Sequence, residues 1–358
     1  MRRPSYTLNL SALSDNVRAW RSLLGDVELW AVVKSNAYGQ GLLPVAEACL
    51  KAGARRLCVI DIGEARALRA AGVDAPLVHI CATAPDELAD AVALGVVVTI
   101  DDEHSAAQLS RCAEAAGVTA RAHVAFDTGT GWSGVTPQDT RRFARAVRDY
   151  RNIEWEGAWT HIAGQASQAE QLRAFGSAVE AVRQAALGVP LLHVASTGPV
   201  LWGARAGQGA ARIGVGLYGP AMGQRNEMPP LKTAPQLRAF VVYVKRFAEP
   251  TALGYGGKDT VPAGAVVATL RLGYGDGLPK SLASGGSVCL KGRDCRIVGE
   301  IGMNFTMILL PEGYAAAAGD EALVLGDLPG HSLDEVAEAA GVIPHALLTS
   351  LGNGMPKL

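Results

Sequence analysis

The segment at residues 28–39, Glu-Leu-Trp-Ala-Val-Val-Lys-Ser-Asn-Ala-Tyr-Gly, decides the fold, because an apolar run typical of a buried β-strand ends in it directly on a lysine. Seven further apolar runs of this kind follow along the chain. Together the eight runs cover residues 28–33, 56–60, 76–81, 96–100, 121–126, 154–160, 191–195 and 212–217. Amphipathic stretches with helical periodicity lie between them, at residues 43–51, 62–71, 85–94, 103–116, 136–150 and 169–187.

Apolar strands that alternate with helices indicate a parallel sheet covered by helices. Eight such strands within roughly 200 residues have the number and the length that are typical of a (β/α)8 barrel. We therefore predict an α/β fold, with a TIM-type barrel over residues 1–232.

The sequence changes character after residue 232. Gly- and Pro-rich turns separate apolar runs at 237–247, 265–272, 287–290, 295–300, 304–310 and 322–325, and only 332–340 and 345–350 have helical character. Strands without intervening helices indicate a smaller, mainly-β domain over residues 233–358, with the junction at 232–235. Roughly the first ten residues are compatible with either domain.

Composition excludes several classes of protein. The chain has 358 residues, 49% of them hydrophobic, and a net charge of −1, so no concentrated basic surface for nucleic acid is expected. Apolar runs of membrane-spanning length and a signal-peptide core are missing, which predicts a cytoplasmic protein. The six cysteines form no CxxC pair and no Cys/His cluster, so we expect reduced core thiols and no metal site.

Lys34 is the first candidate for chemistry. Active sites of (β/α)8 barrels lie at the C-terminal ends of the strands, and Lys34 follows the first strand at that end. Removal of an amine from water favours its neutral form, which is nucleophilic enough to form a Schiff base. The alternative interpretation is a solvated surface lysine.

The last two barrel strands supply a second candidate. They end at Ser196-Thr197-Gly198 and at Gly214-Val215-Gly216, in the two loops with which barrels commonly bind phosphate. Taken alone, Ser-Thr-Gly is more often a plain turn than a phosphate site. In the same barrel mouth as Lys34, it indicates pyridoxal phosphate or a phosphosugar substrate.

The segment around Lys34 also resembles the cofactor-lysine signature of the alanine racemase family. The resemblance continues, in the order that the family has, through residues 160–161, 212–219, 254–256, 271–277 and 297–304. These segments extend over nearly the whole chain, including the β domain. The resemblance implies a pyridoxal-phosphate-dependent isomerase that racemises or epimerises an amino acid.

Two catalytic residues are implied by the resemblance. Lys34 would bind the cofactor covalently and act as a base on one face of the substrate, and Tyr255 of a second subunit would act on the other face. Racemisation needs a proton removed on one side and returned on the opposite side, so two opposed groups are required. A homodimer with composite sites follows. Without the resemblance, Tyr255 would be interpreted as an ordinary turn tyrosine.

Further cofactor contacts are implied in the same way. Arg212 would face the pyridine nitrogen and keep it unprotonated, which suppresses transamination. His161 would lie near the ring. The phosphate would be bound by Tyr38, Ser196, Thr197, Gly214 and Val215, the last two through backbone N–H groups. The alternatives are a salt-bridged arginine at a strand end and a core histidine.

The substrate side departs from the family pattern. Tyr274 and Met303 of the partner would line the pocket, with the Met303 N–H on the substrate carboxylate. Trp132, however, stands where the family normally has an arginine, and Ala125 stands where many members have a lysine, often carbamylated. An indole offers one donor and cannot reproduce a bidentate contact. Trp132 either stacks on a larger substrate or fills the space.

Three smaller departures concern the entrance of the pocket. Gly302 replaces a bulkier residue, usually cysteine, Asn304 stands where aspartate is frequent, and Asn353 aligns with a tyrosine of alanine-specific members. Smaller side chains widen the access route, and Asn353 can hydrogen-bond a polar group. We therefore predict a substrate larger or more polar than alanine, bound near these residues.

Other functions remain open at this point. The same fold and cofactor support decarboxylation or retro-aldol cleavage, and the lost arginine favours that alternative. A non-catalytic pyridoxal-phosphate-binding relative would not need Tyr255 or a complete β domain. A phosphosugar aldolase is disfavoured by the second domain and by the order of the motifs.

Overall fold

In the computed structural model, which describes residues 3–204, 209–220, 230–257 and 259–355, each of the eight predicted apolar runs contains a strand, although the last run does so only at its first two residues. A first strand, β1 (Ser5–Leu8), precedes them. The eight barrel strands are β2 (Glu28–Val32), β3 (Arg56–Val59), β4 (Leu77–His79), β5 (Val98–Ile100), β6 (Ala120–Ala125), β7 (Ile153–Trp159), β8 (Leu191–His193) and β9 (Ala210–Ile213).

The barrel closes from two parallel sheets, with strand orders β4-β3-β2-β9 and β5-β6-β7-β8. A parallel bridge between Val78 and Val97 joins the sheets on one side. On the other side, the N–H of Gly209 donates to the carbonyl of Leu192 at 2.9 Å. The prediction of a (β/α)8 barrel is confirmed.

Helices surround the strands, as the amphipathic stretches predict. The six expected helices are present, together with α1 and two single turns, α2 and α9. They are α1 (Leu10–Leu24), α2 (Lys34–Tyr38), α3 (Leu42–Lys51), α4 (Ile62–Ala70), α5 (Leu88–Ala93), α6 (Glu103–Ala116), α7 (Thr140–Val147), α8 (Gln168–Gln184) and α9 (Thr197–Leu201).

Helix α1 precedes the first long apolar run of the sequence and is not predicted. Its start is nevertheless encoded locally, because the side chain of Asn9 accepts hydrogen bonds from the N–H groups of Ser11 and Ala12, at 3.1 and 3.0 Å. On the buried face of the helix, Trp20 donates from its indole to the carbonyl of Gly216 at 2.7 Å. This contact anchors the helix to the loop that follows the last barrel strand.

The second half of the chain is an antiparallel sheet with two helices. Its elements are β10 (Pro235–Arg246), β11 (Thr251–Leu253), β12 (Asp259–Val261), β13 (Val266–Leu270), β14 (Ser287–Leu290), β15 (Arg293–Val298), β16 (Thr306–Leu309), β17 (Glu321–Leu325), α10 (Leu333–Ala339) and α11 (Pro344–Gly354). The seven-stranded sheet has the order β1-β10-β13-β16-β15-β14-β17, and β10 also pairs with β17. The first strand of the chain therefore lies in this sheet. The short hairpin β11–β12 is missing from the sequence prediction.

Helix α11 brings the second half of the chain to the mouth of the barrel. The Gln40 side chain donates to the carbonyl of Leu348 at 3.1 Å. A Cβ added to Gly39 would lie 3.0 Å from the Cα of Gly352, and Gly39 has a φ of +75°, so the close approach and the backbone both require glycine. The turn after β2 is thus packed directly against this helix.

Two further features of the fold concern the state of the cysteines and the character of the helices. All six cysteines are free thiols, of which Cys49, Cys58 and Cys295 are buried and the other three are half-buried. Among the described residues, none of the helices combines the length and the apolar character that a membrane crossing requires.

Candidate active site

A cavity of about 490 Å³ lies at the C-terminal ends of the barrel strands. This volume is within the range of small-molecule and cofactor sites. Every residue that was predicted for the barrel side of the site lines it. These residues are Lys34, Tyr38, Trp132, His161, Ser196, Thr197, Arg212, Gly214 and Val215.

Lys34 opens a left-handed turn of the backbone. Ser35, Asn36 and Ala37 have φ between 54° and 55°, and Tyr38 has a φ of 59°, a region that costs energy for residues other than glycine. Tertiary contacts hold the turn in place. Glu64 accepts from the N–H of Asn36 at 2.7 Å, and the Asn36 side chain accepts from the N–H of Leu42 at 2.8 Å. The turn fixes Lys34 half-buried at the cavity.

The loops after β8 and β9 are joined by the hydroxyl of Thr197. Its oxygen accepts from the N–H groups of Gly214 and Gly216, at 3.3 and 3.4 Å. A Cβ added to Gly214 would lie 2.1 Å from the Tyr38 hydroxyl oxygen, so only glycine fits beside that phenol. Burial raises the pKa of Tyr38 well above its usual value, which keeps the phenol a neutral donor. Hydroxyl and backbone donors therefore converge where a phosphate is expected.

Arg212 lies buried beneath the cavity. Its guanidinium donates to the carbonyl oxygens of His193 and, at 3.0 Å, Thr160, and it lies 4.9 Å from the ring centre of Trp159. Burial lowers the pKa of Arg212 to about 10, so the group stays charged at neutral pH. A fixed cation thus faces the cavity floor.

A chain of polar side chains runs from Arg212 through the barrel interior. Arg212 contacts Nδ1 of His193 at 2.8 Å, and Nε2 of His193 contacts Nδ1 of His123 at 2.8 Å. Since arginine can only donate, each histidine accepts at Nδ1 and carries its proton on Nε2. His123 Nε2 lies 3.5 Å from the carboxylate of Glu156, which pairs with Arg56 at 2.6 Å. We call these five residues the polar chain.

Charges at the two ends of the polar chain determine its protonation. Burial, reinforced by repulsion from the arginines, lowers the pKa of His193 well below its usual value. Burial alone would favour the acid form of Glu156, but contacts with His123 and Arg56 outweigh it and lower the pKa of Glu156 to about 2. At neutral pH the chain therefore has two neutral histidines between a carboxylate and a guanidinium.

Trp132 and His161 stack at the entrance of the cavity. Their ring centres are 5.6 Å apart and the planes differ by 19°. Burial, with repulsion from Arg212 and Lys34, lowers the pKa of His161 to about 4, so the imidazole is neutral. Trp132 is 80% exposed, so it covers the histidine without filling the interior of the cavity.

The loop that carries Trp132 is held by Asp127. The carboxylate accepts from the N–H groups of Gly129, Thr130 and Gly131 at 3.0 to 3.1 Å. Partial burial opposes ionisation, but these bonds keep the pKa of Asp127 below its usual value. The position of the indole is therefore set by an ordered turn.

The predicted residues of the second half do not line this cavity within one copy of the described chain. Tyr255 is 78% exposed in a 3-10 turn between β11 and β12, and Tyr274 and Met303 are also exposed. Asn304 is half-buried near Gly275. Asn353 is exposed beside Gly39, with its side-chain oxygen 3.2 Å from where a Cβ of that glycine would lie.

The turns that carry Tyr255 and Tyr274 both approach Glu300. Lys280 lies 5.6 Å from the ring centre of Tyr274 and pairs with Glu300 at 3.7 Å. A Cβ added to Gly254, the neighbour of Tyr255, would lie 3.4 Å from the backbone nitrogen of Glu300.

Several cavity residues are missing from the sequence prediction. Ile343 and His345 come from α11, and Trp159, Trp202 and Ile80 come from the barrel. The two residues of α11 lie far from Lys34 in the sequence, so no local pattern connects them with it. The histidines of the polar chain carry a weak signal, because a polar residue within an apolar barrel strand must point into the interior.

One group outside the cavity also differs from expectation. No Cys/His cluster is visible in the spacing of the sequence, yet ligand-type atoms of Cys289, Asp294 and His331 lie within 4.8 Å of one another in the fold. His331 contacts the carboxylate of Asp294 at 2.9 Å. This hydrogen bond ties the loop before α10 to the hairpin β14–β15.

The fold and the cavity together define a class of protein: a (β/α)8 barrel with a lysine, a converging set of anion donors and a buried arginine at one mouth, followed by a β-rich half. The family description "Alanine racemase, N-terminal domain" matches residues 8–222, and "Alanine racemase, C-terminal domain" matches residues 234–358.

Curated relatives match along the whole length. The chain is 31% identical to an alanine racemase of Desulforamulus reducens, over 100% of this chain and 99% of the relative. It is also 31% identical to the alanine racemase of Desulfovibrio desulfuricans, over 99% of this chain and 98% of the relative.

Solved structures of alanine racemases have the same fold as this chain. The alanine racemase from D-cycloserine-producing Streptomyces lavendulae superposes with a TM-score of 0.92 at 29% identity, covering 100% of this chain and 97% of that one. A Bartonella henselae alanine racemase with covalently bound pyridoxal phosphate has the same fold, with a TM-score of 0.89 at 23% identity, covering 100% of this chain and 99% of that one. The chain belongs to the alanine racemase family and is an isomerase of the amino-acid racemase type.

Proposed function

We propose that this protein is a pyridoxal-phosphate-dependent racemase or epimerase of an amino acid, acting by proton transfer on two faces of the α-carbon. The observation that carries the proposal is the position of Lys34 in the same cavity as the Thr197–Gly214 loops and the buried Arg212. A lysine amine that can form a Schiff base, an anion site for the phosphate and a polar partner for the pyridine nitrogen are the three groups that hold this cofactor.

Pyridoxal phosphate is the cofactor of this family, and the residues present fit it. Gly214 has no side chain to displace the Tyr38 hydroxyl, so this phenol lies directly beside the backbone of the loop after β9, where an anion would meet both. Tyr38, Ser196, Thr197, Gly214 and Val215 would hold the phosphate. When bound, the cofactor makes the α-carbon proton of an attached amino acid acidic.

The side chains of the barrel would have different roles toward the bound cofactor. Lys34 anchors the cofactor and moves a proton at the α-carbon from one face. Arg212 only donates hydrogen bonds, so a ring nitrogen facing it receives one without being protonated. Neutral His161 packs beside this position without adding a charge.

The second proton-transfer group comes from a second copy of the chain. In one copy, Tyr255 lies outside the cavity and is exposed, together with Tyr274, Met303 and Phe305. An exposed apolar and aromatic cluster of this kind is typical of an interaction surface. A homodimer in which each copy lends Tyr255, Tyr274 and Met303 to the other completes both sites.

The substrate is proposed to be larger or more polar than alanine. Trp132 stands stacked on His161 at the entrance and offers a flat apolar surface rather than a charged fork. A side chain longer than a methyl group gains contact there, whereas the carboxylate loses a bidentate partner. Asn304, half-buried near Gly275, and Asn353, exposed beside Gly39, are the residues proposed to hydrogen-bond a polar substrate side chain.

The test is solvent exchange at the α-carbon. The purified protein is incubated in deuterated water with alanine, serine and bulky amino acids, and uptake of deuterium and inversion are measured separately. We expect inversion together with exchange, fastest for a substrate other than alanine. Clear superiority of alanine would remove the proposal on substrate size. Loss of carboxylate, or release of an aldehyde fragment, would instead indicate decarboxylation or retro-aldol cleavage.

Tyr255→Phe separates a racemase from a passive cofactor holder. Removal of the phenol should depress exchange from one enantiomer more than from the other, because each face uses its own group. Equal rates in both directions, at the wild-type level, would remove Tyr255 from the mechanism.

Two expectations from the sequence stay predictions. A domain boundary at residues 232–233 is compatible with the family matches and with a first strand that pairs with β10. A cytoplasmic location is the other.

A further inference from the structure

Gln171, in α8, is a buried residue whose side-chain amide has a partner at each of its hydrogen-bonding positions. Its oxygen accepts from the N–H of Ala163 and from the hydroxyl of Ser167, both at 2.9 Å. Its nitrogen donates to the hydroxyl of Thr128 at 3.2 Å and to the carbonyl of His161 at 3.0 Å. An amide offers two N–H donors and two acceptor lone pairs, so this side chain is fully satisfied.

The four hydrogen bonds join two loops at the mouth of the barrel. His161 and Ala163 belong to the loop after β7, and both line the cavity. Thr128 belongs to the loop after β6, which also carries Trp132. Gln171 does not line the cavity itself. It therefore acts on the cavity through the two loops that it holds together.

The position of Trp132 depends on its loop rather than on packing around the indole. The indole is 80% exposed, and its ring centre lies 5.6 Å from that of His161. A side chain with so little burial has few contacts that could hold it. The loop in turn packs on the buried amide, because a Cβ added to Gly129 would lie 3.5 Å from the side-chain nitrogen of Gln171. The spacing of the two rings is therefore set where Gln171 joins the loops.

We propose that Gln171 determines substrate specificity, because it holds the loop of Trp132 against the loop of His161. The inference rests on the proposed function, and it names the residue that positions the flat wall offered to a large side chain. Without the amide, the two loops lose their shared anchor and the indole is no longer held over the imidazole. The hydrogen bonds of Gln171 in the described chain do not reach the loops after β8 and β9, so the phosphate site should be retained.

The experiment uses Gln171→Glu, which has almost the same shape. A carboxylate keeps the two acceptor contacts but cannot donate to Thr128 and His161. The ratio of kcat/KM for phenylalanine to that for alanine is measured from deuterium exchange at the α-carbon. This ratio should fall about 3- to 10-fold, which is the discrimination that one aromatic contact supplies. Alanine, which has only a methyl group to place against the indole, should change little.

Two further variants and a control show whether the effect passes through the loop. Thr128→Val removes one partner of the amide without burying a charge, and it should lower the same ratio. In a Trp132→Ala background, Gln171→Glu should cause no additional change in the ratio, because the wall is already gone. Gln184→Glu makes the same exchange at the exposed end of α8 and should behave like the wild type.

The dissociation constant of pyridoxal phosphate, measured from absorbance, separates positioning from general damage, and it should be similar in the wild type and in Gln171→Glu. An unchanged ratio in Gln171→Glu would overturn the inference. So would an equal loss for both amino acids together with weakened cofactor binding, or a further fall of the ratio in the Trp132→Ala background. A wild type that exchanges alanine but not phenylalanine would overturn this inference alone, whereas one that exchanges no amino acid would overturn the proposed function.

Discussion

Arg212 lies at one end of a line of buried side chains that crosses the barrel interior to Glu156 and Arg56. The two histidines between them have one possible orientation of their protons, because the arginine can only donate at its end. This arrangement fixes the guanidinium that faces the cavity. The buried cation of Arg212 is therefore not isolated, because the two histidines couple it electrostatically to the carboxylate of Glu156 on the far side of the barrel.

Only the Arg212 end of this line is predictable from the sequence. Lys34 and Arg212 follow from their positions at strand ends and from the family resemblance. His123 and His193 lie in largely apolar strands, and nothing in the sequence shows that they touch. Their contact depends on the register between strands that are far apart in the chain, which only the closed barrel sets.

Glu156→Gln tests the polar chain. Because the half-buried Arg56 would keep only the more distant Glu28, at 4.0 Å, as a counter-ion, we expect a loss of about 2 kcal/mol in the free energy of unfolding at pH 7. The folded-state pKa of Glu156 is depressed to about 2, so its contribution is complete above the ordinary value near 4.5 and falls as the pH drops between the two.

Urea unfolding at several pH values measures this loss. The difference between wild type and Glu156→Gln should shrink as the solution is acidified from pH 7 toward pH 3. A difference that stays constant or grows with acidification would show that the carboxylate is not the stabilising group.

Most secondary-structure elements follow from the hydrophobic pattern, and the exceptions have physical reasons. The eight barrel strands and six helices lie where apolar runs and amphipathic stretches predict them. Strands β11 and β12, Thr-Ala-Leu and Asp-Thr-Val, do not lie in an extended apolar run of the kind that surrounds the equally short barrel strands. The left-handed turn after β2 is not encoded in Ser-Asn-Ala-Tyr, where only Asn favours that backbone region. Contacts from Glu64 and Leu42 impose it.

Asn36→Ala should weaken this turn. The variant loses both the hydrogen bond from the Leu42 N–H and the tolerance of Asn for φ near 54°, so we expect a loss of about 1–2 kcal/mol in stability. Ser35→Ala is the matched control at the adjacent left-handed residue, and its effect should stay below about 0.5 kcal/mol. Thermal unfolding compares them. Equal effects would mean that the Asn36 side chain does not hold the turn.

At the level of the whole molecule, one copy of the chain holds only half of the proposed chemistry. The cavity contains Lys34 and the cofactor ligands, and Tyr255 lies on an exposed face of the second half. The sequence predicts both halves, but one chain cannot show how two copies meet. That contact depends on the shape of surfaces assembled from distant segments.

Mixing two inactive variants tests the composite site. Lys34→Ala and Tyr255→Phe are unfolded together, refolded and assayed. Random pairing makes half of the dimers mixed, and each mixed dimer has one intact site, so about a quarter of wild-type activity should return. No recovery, with mixed dimers demonstrated by mass spectrometry, would show that Lys34 and Tyr255 act within the same copy or not together.

Every role proposed for the cavity requires that Lys34 holds the cofactor at the mouth of the barrel. The most direct measurement is borohydride reduction of the protein loaded with pyridoxal phosphate, followed by peptide mass spectrometry. We expect one pyridoxyl group per chain, on the peptide that contains Lys34, and none in Lys34→Ala. An unmodified Lys34, or a label on another lysine in the wild type, would contradict the account.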